Sequence, residues 1–359
     1  MVGVRASVDW EAPAELVGLS PQTGDLLWRF GPADAQPIGC ADQLLDGDLA
    51  CLVEGESGDT AVVLLDTATG EELGRFALPA RSPALAVDGS QVIAVLFPQW
   101  PAAFDEVEVA RYTRSGTPVW STTFSRGDDI LGTDSFRQRI AVTDGLVLLN
   151  LTGTLRVLDG ETGALVVDSG LGGYLVTNDG RVVLGLRDPM TFDPSVAVLQ
   201  SDGTVDHTLP GMRLLAPRVL GGESPVLLGD AEGQIYVLDV ISGAPAALGA
   251  NPEVGLGQAR ASLVGDILIV SDGYVLYGYD VADPGAAWYS AWDYRDGFTD
   301  GERVYGVARH GTGEEGLVTA IDAVDGEVAW QLERAAEVLT VAGGRLFAVE
   351  GDAITLFGP

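Results

Sequence analysis

The stretch Val318-Thr-Ala-Ile-Asp-Ala-Val-Asp-Gly-Glu-Val-Ala-Trp330 decides the fold. It reads as an apolar strand ending in Asp322, a turn closed by Gly326, and a second strand carrying Trp330. The glycine suits a hairpin turn that needs a positive φ, which a Cβ would resist. Asp322, four residues earlier, can accept backbone N–H bonds and tie the turn together. The same unit recurs along the whole chain. Its apolar strands begin at Leu16, Val62, Val109, Leu155, Val196, Ile235 and Leu276, and its turns end at Gly24, Gly70, Gly116, Gly163, Gly203, Gly243 and Gly285. The aspartate returns as Asp66, Asp159 and Asp239, and a tryptophan follows the glycine as Trp28, Trp120 and Trp288. A large aromatic on that last strand can pack against the next unit.

Successive turn glycines stand 46, 46, 47, 40, 40, 42 and 41 residues apart. Intervals of forty-odd residues are the size of one four-stranded propeller blade. Each interval also holds two further strands, as in Arg139 to Asn150, where an apolar pair is joined by Asp144-Gly145. No segment reads as a helix. The expectation is therefore an all-β chain: one domain over residues 1–359, an eight-bladed β-propeller of four-stranded antiparallel blades. Through the termini, Gly326 and Gly24 are 57 residues apart, about 14 more than one repeat. The last blade is expected to combine strands from both termini, with Val4–Trp10 or Ala353–Phe357 as an added piece. A seven-bladed ring with an irregular terminal segment is the alternative.

At these residues the sequence resembles the pyrroloquinoline-quinone-like propeller repeat, whose hallmark is Ala-x-Asp-x-x-Thr-Gly-x-x-x-Trp. Ala320, Asp322, Gly326 and Trp330 carry the fullest match. Residues 62–70 and 155–163 keep the Asp and the Thr-Gly without the Trp, and residues 16–28 keep the Thr-Gly and the Trp without the Asp. The resemblance implies a propeller like that of quinoprotein dehydrogenases, and like that of the non-catalytic outer-membrane assembly lipoprotein of Gram-negative bacteria. In the dehydrogenases it implies a quinone covered by a disulfide of adjacent cysteines, stacked on a tryptophan and bound to calcium through Glu, Asn and Asp. Here the two cysteines are eleven residues apart, no calcium set matches by motif, and few cations are on hand for three cofactor carboxylates. The reading that follows is a non-catalytic member, with no catalytic or cofactor-binding residues assigned. A quinone-dependent dehydrogenase and a carbohydrate- or small-ligand-binding propeller are the alternatives.

Charge narrows the partners. The chain has no lysine, 20 arginines and 52 Asp plus Glu, for a formal charge of -32. Phosphate binding needs clustered cations, so nucleic acid is excluded, and direct binding to anionic membranes is disfavoured. The lysine-free, Ala/Gly/Val-rich usage looks like that of a high-GC bacterium such as an actinomycete. The 48 glycines, about twice the average share, follow no collagen triplet. They belong to turns.

Few residues carry chemistry. His207 and His310 fall in different repeats and form no metal-ligand pair, and Gly-x-Ser-x-Gly is absent. Asp293, Asp296 and Asp300 make the densest acidic loop, with spacing unlike the twelve-residue calcium loop; it reads as a solvated turn, with Ca²⁺ as a weaker alternative. Cys40 and Cys51 flank Leu44-Leu45-Asp46-Gly47, and a hairpin loop of those four residues sets the cysteines opposite each other, close enough to bridge. Such a disulfide points to an oxidising compartment. Met1-Val2-Gly3-Val4-Arg5 opens no apolar leader, so an extracytoplasmic chain would have its anchor outside this sequence. The aromatic insertion Phe97-Pro-Gln-Trp-Pro-Ala-Ala-Phe104 departs from the repeat, and Trp100 and Phe104 are the candidate contacts for a protein or peptide partner. The expected function is a monomeric extracytoplasmic scaffold that binds protein.

Overall fold

A computed structural model of the chain describes residues 2–5, 15–20, 25–31, 35–98, 106–125, 139–143, 145–151, 154–169, 171–176, 181–188, 190–191, 193–215, 225–248, 260–271, 276–281, 287–290, 293–294, 298–299, 302–309, 317–335, 338–342, 345–350 and 353–357. Among the described residues every regular element is a β-strand, and no helix is long and apolar enough to cross a membrane. The described strands form nine antiparallel sheets in chain order, spanning residues 2–30, 35–77, 81–125, 139–169, 171–210, 213–247, 260–290, 293–335 and 338–357. The second to the seventh are four-stranded meanders in which each strand pairs with the next. The chain divides into two compact units, residues 1–173 with 199–204, and residues 174–198 with 205–359.

Alternation of side chains explains why the inner strands are apolar without a break. In Gln91–Phe97, Val92, Ala94 and Leu96 share a core with Leu52, Val62 and Leu64 of the second sheet. Ile93, Val95 and Phe97 point the other way, into a core with Val147 and Leu149 of the fourth. A strand buried on both faces has no room for polar residues on either. The fourth strands differ: Glu72–Ala77 and Pro118–Ser125 alternate exposed and half-buried positions, as edge strands do.

The repeat glycines do two jobs. Gly70 sits at φ 71°, a backbone conformation that a side chain resists. A Cβ there would also lie 2.6 Å from the Trp28 ring, which reaches across from the preceding sheet. Trp28 Nε1 donates to the Thr67 carbonyl of that same turn at 3.0 Å. Trp120 repeats this on Gly163, donating to the Gly160 carbonyl at 2.9 Å, and Trp288 on Gly326, donating to the Ala323 carbonyl at 3.1 Å. Where no tryptophan is present, Phe76 lies against Gly116, Val166 against Gly203 and His207 against Gly243. Each is a side chain of one sheet's outer strand closing over the next repeat's turn. Trp330 is seen against Tyr305 of its own sheet, with ring centroids 5.9 Å apart.

The terminal interval holds more strands than its length predicts. From Gly326 through both termini to Gly24 run Val328–Ala335, Val338–Ala342, Arg345–Glu350, Ala353–Phe357, Val2–Arg5 and Glu15–Leu19, six strands where the Gly70–Gly116 interval holds four. The N-terminal segment and Ala353–Phe357 are both strands, rather than one of them being the single added piece. Two-residue links between the last three strands and a four-residue first strand fit the extra pair into about 14 surplus residues. The two terminal sheets are three-stranded by their own pairings.

Trp28 is buried, and Trp28→Ala is expected to lower unfolding free energy by about 3–5 kcal/mol, measured by urea denaturation. Trp28→Phe keeps a ring but leaves the Thr67 carbonyl without its donor. Its expected cost is about 1–2 kcal/mol.

Candidate partner-binding surface

The outer strands expose apolar side chains at matching places. Leu26 and Leu27, Leu73, Val119, Leu165 and Val166, Val205 and Val328 all follow their turn glycine by two or three residues, and all are exposed. Tyr289 is 73% exposed on the outer strand of the seventh sheet, and Ile241 and Val324 are 68% and 71% exposed on turn tips. Scattered exposed apolar residues are ordinary on a protein surface. Here an exposed apolar residue recurs two or three places past the turn glycine, at the start of one outer strand after another.

The turns beside this surface are held by carboxylates. Asp66 Oδ1 accepts from the Ala68 and Thr69 N–H groups at 2.9 and 2.8 Å, and from the Thr69 hydroxyl at 2.9 Å. The Asp66 carbonyl takes the Gly70 N–H at 2.8 Å. Asp159 is bound in the same way by Thr162, and Asp239 by Ile241 and Ser242. Asp322 accepts from the Val324 N–H at 2.9 Å. The Thr69 N–H, then its hydroxyl, holds the Asp66 carboxyl below the usual carboxylate range. The hydroxyls of Thr162 and Ser242 are the leading causes of the same downward shift at Asp159 and Asp239.

Arginines tie sheet to sheet. Arg81 of the third sheet pairs with Glu54 of the second at 3.0 Å, and Arg114 with Asp48 of the second. Arg111 pairs with Asp88 at 2.7 Å and donates to the Gly160 carbonyl, which also receives the Trp120 N–H. Arg181 pairs with Asp206 at 2.8 Å and reaches the Val240 carbonyl of the sixth sheet at 3.3 Å.

Cys40 and Cys51 are disulfide-bonded and face each other in the register of the second sheet. The route to that pairing differs from the four-residue loop expected from sequence. The loop is only Asp46-Gly47, both at positive φ (52° and 95°), and Leu45 pairs with Asp48. That turn alone would set Asp42, not Cys40, opposite Cys51. A register shift between Cys40 and Leu44 moves the pairing by two residues and brings the cysteines together. Shifts of two preserve which face each side chain occupies.

Trp100 and Phe104 lie outside the described residues, as do Asp296, Asp300 and His310. Asp293 falls in the short strand Asp293–Tyr294, which pairs with Arg303–Arg309. His207 serves the sheet contact at Gly243, with Nε2 3.1 Å from the Ile241 carbonyl. The sequence reading missed this place for His207. Its position, four residues past Gly203, was the available signal.

Against known proteins, the family profile described as outer membrane protein assembly factor BamB matches residues 12–169 and 231–358. The crystal structure of BamB from Moraxella catarrhalis is 17% identical, covers 99% of each chain and superposes with a TM-score of 0.51. A eukaryotic initiation factor structure is 10% identical, covers 97% of this chain and 88% of its own, and reaches a TM-score of 0.59. No curated protein matches by sequence. The fold is an all-β propeller with a pyrroloquinoline-quinone-like repeat.

Two measurements follow from this geometry. Carboxyls whose folded pKa lies below the ordinary 3.8 stabilise fully above that value, and the gain is lost as pH falls through the folded pKa. Acid unfolding is therefore expected below about pH 4, and Asp66→Asn should flatten the fall in melting temperature there. Reducing the Cys40–Cys51 bond, which closes a short loop, should cost about 2–3 kcal/mol, read from denaturant midpoints with and without reductant.

Proposed function

The chain belongs to the family of the outer membrane protein assembly factor BamB, and on that premise we propose that it is a non-catalytic scaffold binding a protein or peptide partner outside the cytoplasm. The observation that carries this reading is the exposed apolar residues that recur at the start of successive outer strands. Edge strands with outward apolar side chains offer both backbone hydrogen bonds and side-chain contact to another chain. A disulfide with Cys51 fully buried supports a compartment where thiols oxidise. Residues 1–359 act, in this proposal, as one eight-bladed domain and as a monomer. The excess of carboxylates favours a partner with a basic or neutral face and works against nucleic acid.

Trp100 and Phe104 are the proposed anchors of the loop-side contact. Tagged wild-type protein and a Trp100→Ala, Phe104→Ala double variant, each used to capture partners from an envelope extract, provide the test. Loss of a specific partner from the variant, at unchanged melting temperature, is the expected result. An identical set of partners from both proteins would remove these two residues from the interface.

A further inference from the structure

Arg213 is an arginine without an acid. It opens Arg213–Leu215, the first strand of the sixth sheet, and pairs in register with Gly229, the last residue of the second strand. The side chain is half-buried, its Nε is buried without a hydrogen-bond partner, and no carboxylate among the described residues pairs with it. Arg111 and Arg156 also bury Nε, but each has an acid beside it, Asp88 at 2.7 Å and Asp168 at 3.2 Å. Arg81 holds the same place in the third sheet, first in its first strand and opposite Phe97, the last residue of the second. It meets Glu54 at 3.0 Å. The acid next to the register partner of Arg213 is Asp230, and it is already engaged. Its Oδ1 accepts the Glu232 and Gln234 N–H groups, each at 2.9 Å, and its Oδ2 accepts the Tyr236 hydroxyl at 2.9 Å. In a chain of 52 acids and 20 arginines, a half-buried cation left over is an exception.

We infer that Arg213 is a binding site for a carboxylate group of a ligand. A guanidinium is a single positive charge on a planar fork, and a carboxylate matches it in both charge and shape. A phosphate dianion would leave surplus negative charge on a chain that already carries -32. The chain's own arginines agree: Arg81, Arg111 and Arg156 each meet Asp or Glu. Of the three nitrogens of Arg213 only Nε is both buried and unpartnered, which leaves the two terminal nitrogens for a ligand to meet end-on. Alternation along the strand gives the side it approaches from. Leu214 lies against Gly185 of the fifth sheet, while Leu215 shares a core with Leu268 and Val270 of the seventh. Arg213, two residues from Leu215, is therefore on the side of the seventh sheet. There Arg260 opens the first strand and pairs with Ser271, the last residue of the second, so arginine recurs at the same register place. The inference goes beyond the scaffold reading and does not depend on it.

The test uses the full chain and reads the Arg213 Nε–H resonance in nitrogen-edited NMR spectra, assigned by its loss in Arg213→Lys. N-acetyl-glutamyl amide presents a peptide-borne carboxylate and acetate a free one; N-acetyl-glutaminyl amide is the neutral control and sulfate the competing anion. The glutamyl probe is expected to shift the resonance, and the glutaminyl probe to leave it in place. A shift with acetate alone supports the site and makes its ligand a free acid. Saturation transfer to the responding carboxylate should fall several-fold in Arg213→Lys, which keeps the charge and loses the fork, and vanish in Arg213→Met. Arg213→Met should melt at or above the wild-type temperature, because it removes a buried donor that has no partner. No shift with either carboxylate, an equal shift with the glutaminyl probe or with sulfate, or unchanged transfer in Arg213→Met overturns the site. A melting temperature several degrees lower in Arg213→Met overturns it too, since the guanidinium would then serve the fold. Partner capture that depends on Trp100 and Phe104 is decided separately from all of these results.

Discussion

A ring from one sheet seated on the glycine of the next sheet's turn is the contact on which the repeat depends. Three requirements meet at that point. The turn needs a left-handed residue, the ring needs a surface without a Cβ, and the indole N–H needs an acceptor. Gly70 and the Thr67 carbonyl supply all of them to Trp28. An indole buries about 150–250 Å², which at about 25 cal/mol per Å² is a gross contribution of about 4–6 kcal/mol for each contact. Against a net stability of about 5–15 kcal/mol for a typical protein, a few such contacts matter greatly. They also act between sheets that share no backbone hydrogen bonds, where only side chains can set the spacing.

The turn aspartates complete the same device from the other side. A turn that receives a ring must not deform, and Asp66, Asp159 and Asp239 fix theirs with the N–H and hydroxyl groups of the turn itself. These carboxylates are stabilised chiefly by dipoles, with a smaller contribution from Arg111 at Asp159 and from Arg181 at Asp239. That relieves a chain with 20 arginines and 52 acids of the need to pair every charge. The arginines are then left for longer reaches: Arg81, Arg114 and Arg181 each connect adjacent sheets. Arginine, with its planar fork and long stem, suits such half-buried bridges better than lysine does.

Much of this was legible in the sequence, because turn chemistry is local. The glycine period, the Asp before it and the strands between follow from short-range rules that need no tertiary knowledge. What was hidden depends on long-range geometry. Phe76 does the work of tryptophan at an offset of six from its glycine, which no local rule marks; Val166 and His207 keep the tryptophan offsets of three and four, but their residue types do not announce the role. The Cys40–Cys51 pairing was readable, but the two-residue register shift that produces it was not, since a bulge shows no residue signature in Ala41-Asp42-Gln43. The strands of the terminal interval were legible one by one, but not their pairing as two three-stranded sheets, which is decided by long-range geometry.

The range of residues that close the seams says what the fold demands of them. Tryptophan, phenylalanine, valine and histidine share no hydrogen-bonding chemistry; they share the filling of a space beside a glycine. A requirement for volume alone leaves each seam free to vary, so long as its inner strands remain packed. In the sixth sheet Ile235 and Leu227 are fully buried, while Val237 and Leu248 are half-buried against the same cluster. Stability is thus held by the inner strands and shared among many seams.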